Sequence, residues 1–235
     1  MKGRHIFFAI VTIILPFVIL MNGVLLVFTE NFLKYEYNTP DFPEDPYGFT
    51  LEERTEYGTK SVNYITNVLD RMPESYLADL TMKDGTPLYN EREVSHMADV
   101  KAVFQGCRAV MAMMIVFIIL TGWLVTRRPD SFPGFLRALA WGSSLTLLIL
   151  ILVGIGIYTG FDALFDGFHH LFFTGDSWLF YENDSLIRLF PEPLWVNGFA
   201  LAALFSALIA LGILILSLLC MKKARVSQKR KSLIR

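Results

Sequence analysis

Four long apolar runs divide this 235-residue chain, and every strong cluster of Lys and Arg falls on the same side of them. A spanning helix needs ~20 predominantly apolar residues. The runs give four spans, at 1–29, 109–126, 138–158 and 194–220. The second is the shortest and is expected to borrow its first turns from the segment before it. The first follows Lys2, Arg4 and His5, as a signal peptide would. It is longer than the ~7–15 apolar residues of a signal core and leads into Glu30-Asn31-Phe32 without a small-residue cleavage site, so it reads as an uncleaved span. Pro16 is expected to kink it.

Charge asymmetry orients the spans. Arg127, Arg128 and Arg137 mark the connector at 127–137. Lys222, Lys223, Arg225, Lys229, Arg230, Lys231 and Arg235 mark the tail at 221–235. Basic segments stay in the cytoplasm, so both termini and the connector are expected inside. The segment 30–102 carries 15 acidic and 7 basic residues, and 159–193 carries 6 acidic and 1 basic. These are expected on the outer face, as a cap at 30–108 leading into the second span and an aromatic-rich loop at 159–193. The fold class that follows is an all-α membrane protein of four transmembrane helices with a mostly helical extracellular cap containing a small hairpin. A net charge of −1 argues against a nucleic-acid partner. Membrane lipids are the expected surroundings. Cys107 and Cys220 fall at opposite faces, separated by ~30 Å of hydrocarbon, beyond the reach of a disulfide.

The cap has local start and stop signals. Thr50 and Glu53 have capping-box spacing, and Tyr57, Ser61, Tyr64, Ile65, Val68 and Leu69 follow at helical periods until Arg71-Met72-Pro73. Asp84-Gly85 marks a tight hairpin turn, whose second strand Pro87 keeps short. Asn90 and Glu93 form a second capping box, from which one helix runs through His96, Asp99, Phe104 and Arg108 into the second span. In the other outer loop Phe161, Phe165, Phe168 and Phe172 form a helical stripe beside Asp162, Asp166 and His169, as in a helix lying along the membrane surface. Gly198, Ala202, Ser206 and Ala210 recur every four residues, which lets helix backbones approach closely in lipid. Asn22, Arg108, Asn197 and the pair Gly154 and Gly156 point to a polar pocket at the outer ends of the spans.

His96 and His169 carry the chemistry this pattern allows, because imidazole serves as base and then as acid near neutrality. Asp99 and Asp166, three residues away from each, can orient a ring. Lys101 or Arg108 can hold charge. An acyl-enzyme is disfavoured, because Ser95 cannot face its neighbour His96 on a helix and no serine has a nucleophile-elbow setting. One alternative is a metal-dependent membrane hydrolase using His96, His169 and His170 with Asp166, which stoichiometric metal would reveal. A third reading is a non-enzymatic lipid-binding membrane protein, which would function without either histidine.

The stretch Ser95-His96-Met97-Ala98-Asp99-Val100-Lys101, the stretch Phe168-His169-His170-Leu171-Phe172-Phe173, and the downstream Trp178, Asp184, Leu186-Ile187 and Pro191 resemble the bacterial integral membrane family of lipoprotein intramolecular transacylases of Gram-positive bacteria, the Lit family. The resemblance runs over nearly the whole chain. It implies an acyltransferase of the plasma membrane with a catalytic cap on the outer face. The substrate would be a diacylglyceryl lipoprotein with a free α-amino group on its N-terminal cysteine. The sn-2 acyl chain would move to that amine, giving a lyso-form lipoprotein. The resemblance also implies that His96 and His169 are catalytic. No cofactor and no metal are expected. Phe168, Phe172, Phe173 and Trp178 would confine the substrate.

Overall fold

The computed structural model describes residues 2–67, 72–73, 75–127 and 129–233. Eight α-helices account for most of them: α1 (Lys2–Val27), α2 (Glu30–Tyr37), α3 (Leu51–Thr66), α4 (Ser75–Ala78), α5 (Glu91–Thr126), α6 (Phe132–Phe172), α7 (Ser185–Leu189) and α8 (Glu192–Leu233), with a 3-10 turn at Pro129–Ser131. Of these, α1, α5, α6 and α8 are long and apolar enough to cross a membrane. The lipid-compatible character is visible along α5, where Met113, Val116, Ile119, Leu120, Trp123 and Leu124 are all exposed. Soluble monomers rarely leave so continuous an apolar surface bare.

The chain forms two compact units, and each of the four long helices contributes to both. The first unit comprises 1–23, 109–155 and 202–235. Its core joins Leu15, Ile19 and the fully buried Ala210, with Val11, Val125, Phe135 and Ala138 alongside. α1 continues through Pro16. Proline lacks the N–H that would bond the carbonyl four residues back, here that of Thr12. Gly142 of α6 sits against this carbonyl and Leu15, and a Cβ there would lie 2.9 Å from Leu15 Cβ. The small-residue stripe of α8 packs as its spacing predicts. Ser206 Oγ donates to the Ile19 carbonyl at 3.3 Å. A Cβ on Gly23 would come within 2.4 Å of the Ala202 carbonyl oxygen. Backbone cannot yield as a side chain can, so Gly23→Ala is expected to cost about 1–3 kcal/mol, read as a lowered thermal midpoint in detergent. An unchanged midpoint would mean the two helices are not in contact at this point.

The second unit comprises 24–108 and 156–201. α3 begins at the expected capping box, with Thr50 Oγ1 accepting from Glu53 N and Glu53 Oε2 accepting from Thr50 N. It ends at Thr66, ahead of the expected stop, and Val68, Leu69 and Arg71 lie outside the described residues, as do Arg128 and Arg235. The expected hairpin is a single antiparallel bridge between Thr81 and Pro87. Gly85 takes the left-handed conformation the turn needs (φ 85°), and Asp84 Oδ1 accepts from Thr86 N and Oγ1. Pro87 has no N–H to extend the ladder. Tyr37, Tyr57, Tyr64, Leu77, Leu88, Tyr89 and Leu189 are buried in this unit, and the Tyr37 hydroxyl donates to the Leu189 carbonyl.

The helix expected from the aromatic stripe in 159–193 is the C-terminal part of α6. α6 runs on to Phe172 and leaves helical geometry only at Gly160. Similarly, α5 is one helix from Glu91, because the Asn90–Glu93 box starts it and nothing between them and the apolar run breaks it.

Candidate active site

Glu93 sets the position of His96. Its Oε2 accepts from Asn90 N at 2.7 Å, closing the capping box, and its Oε1 accepts from Leu186 N at 2.7 Å. Leu186 lies in the first turn of α7, whose N–H groups have no intrahelical partner. Asp184, the N-cap of α7, makes no side-chain cap bond. Its carboxylate accepts instead from Asn90 Nδ2 and Tyr181 N. One buried carboxylate therefore caps two helices at once. Burial pushes the Glu93 carboxyl up, against the pull of the two N–H donors. His96 follows three residues later on the same face of α5 and is 6% exposed.

His169 projects from the continuation of α6 past Gly160. Its Nδ1 lies 2.8 Å from the carbonyl oxygen of Phe165, one turn back. A carbonyl can only accept. Nδ1 therefore carries the proton and donates, and Nε2 is left with the free lone pair. The two imidazoles lie 6.2 Å apart, centroid to centroid, with planes 23° from parallel. Both are buried. Phe173 packs against both rings at 5.0 and 5.7 Å, Phe180 meets His96 at 5.3 Å, and Trp178 stacks on His169 at 4.8 Å.

These surroundings disfavour the charged form of both rings. Burial, and secondarily His169, pushes His96 down to about 4. Burial also lowers His169, against the raising effects of the Phe165 carbonyl and the Asp166 charge. His96 precedes the apolar run of α5 by three turns, and His169 follows the break in α6. His96 Nδ1 is buried and has no hydrogen-bond partner. A buried polar atom without a partner costs ~1–3 kcal/mol.

The other sequence candidates divide. Phe173 and Trp178 are buried against the imidazoles. Phe168 touches His169 edge-on at 5.6 Å but is 41% exposed, and Phe172 packs on Phe168. Asp166 is exposed and acts on His169 only through its charge. Asp99 is exposed. Lys101 Nζ donates to the Met72 carbonyl at 2.5 Å and lies over the Tyr64 ring, and Arg108 donates to the Thr66 carbonyl at 2.8 Å. Both cations thus serve the C-terminal end of α3 and its exit, where carbonyls are left over. His170 is exposed and meets Trp178 edge-on. Among the described residues no three His, Cys, Asp or Glu side chains are grouped to hold a metal ion. Three of the residues expected at a polar pocket near the outer ends of the spans have hydrogen-bond partners. Asn22 donates to the Val18 carbonyl, Arg108 to Thr66 and Asn197 to Glu36.

Two further residues that the sequence does not single out touch the histidines. Phe165 stands in an aromatic stripe, and its carbonyl lies four residues before His169, within reach of a helical side chain. Phe180 follows no periodicity that would have marked it.

The family model described as lipoprotein intramolecular transacylase Lit matches residues 9–195. An uncharacterised protein of Aquifex aeolicus (strain VF5) is 30% identical over 214 residues, covering 91% of this chain and 93% of that protein. The in meso structure of the membrane integral lipoprotein intramolecular transacylase Lit from Bacillus cereus has a similar fold, with a TM-score of 0.75 at 21% identity over 98% of this chain and 99% of that one. A structure of the same Bacillus cereus protein with one histidine replaced by arginine matches with a TM-score of 0.70 at 22% identity, over 98% and 95% of the two chains. The fold, the four apolar helices and a family match over most of the chain agree: this chain belongs to the lipoprotein intramolecular transacylase Lit family.

Proposed function

We propose that His96 and His169 together move the sn-2 acyl chain of a diacylglyceryl lipoprotein onto the α-amino group of that lipoprotein's own N-terminal cysteine. As a family member the chain is a multi-pass membrane acyltransferase acting on lipoproteins. The observation that carries the mechanism is the pair of buried imidazoles 6.2 Å apart, one of them oriented through Nδ1. Rings this close can each address a different atom of one reacting centre.

The chemistry follows from the two ring environments. The α-amino group has a pKa of about 7.7–8.0. His169 Nε2, unprotonated at neutral pH, accepts a proton from it as the amine attacks the ester carbonyl. The N–C bond forms and the carbonyl oxygen becomes an oxyanion. His96, kept neutral by burial, offers a ring N–H to that oxygen. A neutral imidazole can polarise a carbonyl without giving up its proton. Collapse of the adduct breaks the C–O bond, and the His169 imidazolium returns its proton to the departing glyceryl oxygen. Nucleophile and electrophile belong to one substrate, so no enzyme nucleophile is required. Confinement of the two ends is the main contribution, a term worth ~7–11 kcal/mol in well-oriented reactions.

The basic connector and tail support a topology with both termini in the cytoplasm. The acidic segments and the histidine pair would then face outward, where lipoproteins mature. The spans would occupy 1–29, 109–126, 138–158 and 194–220. The metal-dependent reading has no donor cluster to support it among the described residues.

Mass spectrometry of lipopeptides from cells with and without this chain tests the reaction. An acyl group on the cysteine nitrogen, with one fewer on glycerol, is expected only when the chain is present. Identical lipopeptides in the two strains would exclude transacylation.

A further inference from the structure

Among the described residues, Trp178 Nε1 is one of five buried side-chain polar atoms without a hydrogen-bond partner, and it lies in the same aromatic cluster as another of them, His96 Nδ1. Tryptophan is 8% exposed here. An indole N–H only donates, and a buried indole usually finds an acceptor. Leaving it bare costs free energy that packing alone does not require, since a phenyl ring would fill apolar space without that penalty. The ring stacks on His169 at 4.8 Å with planes 30° apart. The N–H therefore sits at the rim of a stack whose other member is the proposed base.

Its placement is built rather than incidental. Along 178–180 the chain alternates. Trp178 and Phe180 turn inward onto the two histidines, and Leu179 between them is 46% exposed. Arg92, on the helix that carries His96, donates to the Leu179 carbonyl and lies over the Phe180 ring at 5.6 Å. Gly175, with φ 63°, turns the chain after α6 so that this segment folds back. The segment is thus tied to the element bearing one histidine while its indole rests on the other.

We propose that the Trp178 indole N–H donates a hydrogen bond to the carbonyl oxygen of the migrating acyl ester, making Trp178 a substrate-touching catalytic residue. This rests on the transacylase reading above and adds a second donor beside His96. The missing acceptor would come from the substrate. Near the reacting centre the substrate's strongest developing acceptor is the ester carbonyl oxygen, which gains negative charge as the amine adds. The indole keeps its proton throughout, so the proton inventory of the reaction is unchanged. A neutral donor suits an oxyanion here because it adds no charge to a dry site.

The test replaces Trp178 with 3-benzothienylalanine, which keeps the bicyclic shape and has sulfur in place of N–H, and, as the genetically simpler variant, with W178F. Each purified chain is assayed on a synthetic lipopeptide bearing a diacylglyceryl thioether on its N-terminal cysteine. Loss of one oxyanion donor lowers kcat by about 10²–10³-fold, with KM and the thermal midpoint close to those of the parent chain. Full turnover in the benzothienyl variant would overturn the proposal and leave Trp178 as packing. So would a loss that tracks a lowered thermal midpoint. If the parent chain itself forms no N-acyl product, the transacylase reading fails first, and this role with it.

Discussion

His169→Ala is expected to lower turnover by about 10²–10⁴-fold, the usual contribution of a positioned acid–base group, with the chain still folded. His169 Nδ1 is engaged by the Phe165 carbonyl and Nε2 carries the lone pair, so alanine removes both the base and the acid that returns its proton. The void left among Phe165, Phe173 and Trp178 should cost a few kcal/mol at most. A thermal melt run beside the assay separates this from the chemical loss. His96→Ala is expected to show a smaller fall, because His96 holds charge rather than moving a proton. The comparison is decisive for the assignment of roles. If His96→Ala were the more damaging change and His169→Ala retained turnover, the assignment of the base would be wrong. If the double variant still made product, neither imidazole would belong in the mechanism.

Glu93→Leu is expected to destabilise the second unit by about 3–5 kcal/mol. Two backbone N–H groups, of Asn90 and Leu186, share this one carboxylate. Bonds to a charged acceptor are worth ~1.5–3 kcal/mol each, and donors left buried without a partner add to the loss. Glu93→Gln should fall between, because an amide has only one oxygen to offer two donors. Circular dichroism melts in detergent measure the stability, and limited proteolysis reports on the segment between α6 and α7. Activity should fall with it, since the same carboxylate sets the first turn of the helix bearing His96. A Glu93→Leu chain as stable as its parent would show that the α5–α7 junction does not depend on this clamp.

The histidines themselves were legible because the sequence places each beside a recognisable local signal. His96 follows a capping box by one turn, and His169 sits in a helical aromatic stripe. Their supporting groups were less so. Asp99 and Asp166 have the spacing to orient a ring, yet both are exposed. Spacing fixes which residues share a face, not which face turns inward. Lys101 and Arg108 have the charge to serve a polar site, but the carbonyls at the end of α3 are nearer claims on it. The carbonyl that orients His169 belongs to a phenylalanine, and no side-chain inventory would have flagged it.

Local pattern alone determined the four apolar helices, the two capping boxes, the Asp84-Gly85 turn and the close-packing stripe of α8. Those depend on residues a few positions apart, where helical and turn geometry leave few choices. Tertiary structure alone decided that His96 and His169, separated by more than seventy positions, meet with their rings 6.2 Å apart, that Glu93 caps α7 as well as α5, and that an indole N–H is left without an acceptor. Such facts rest on distances between remote segments, which burial and packing set and no sequence interval encodes.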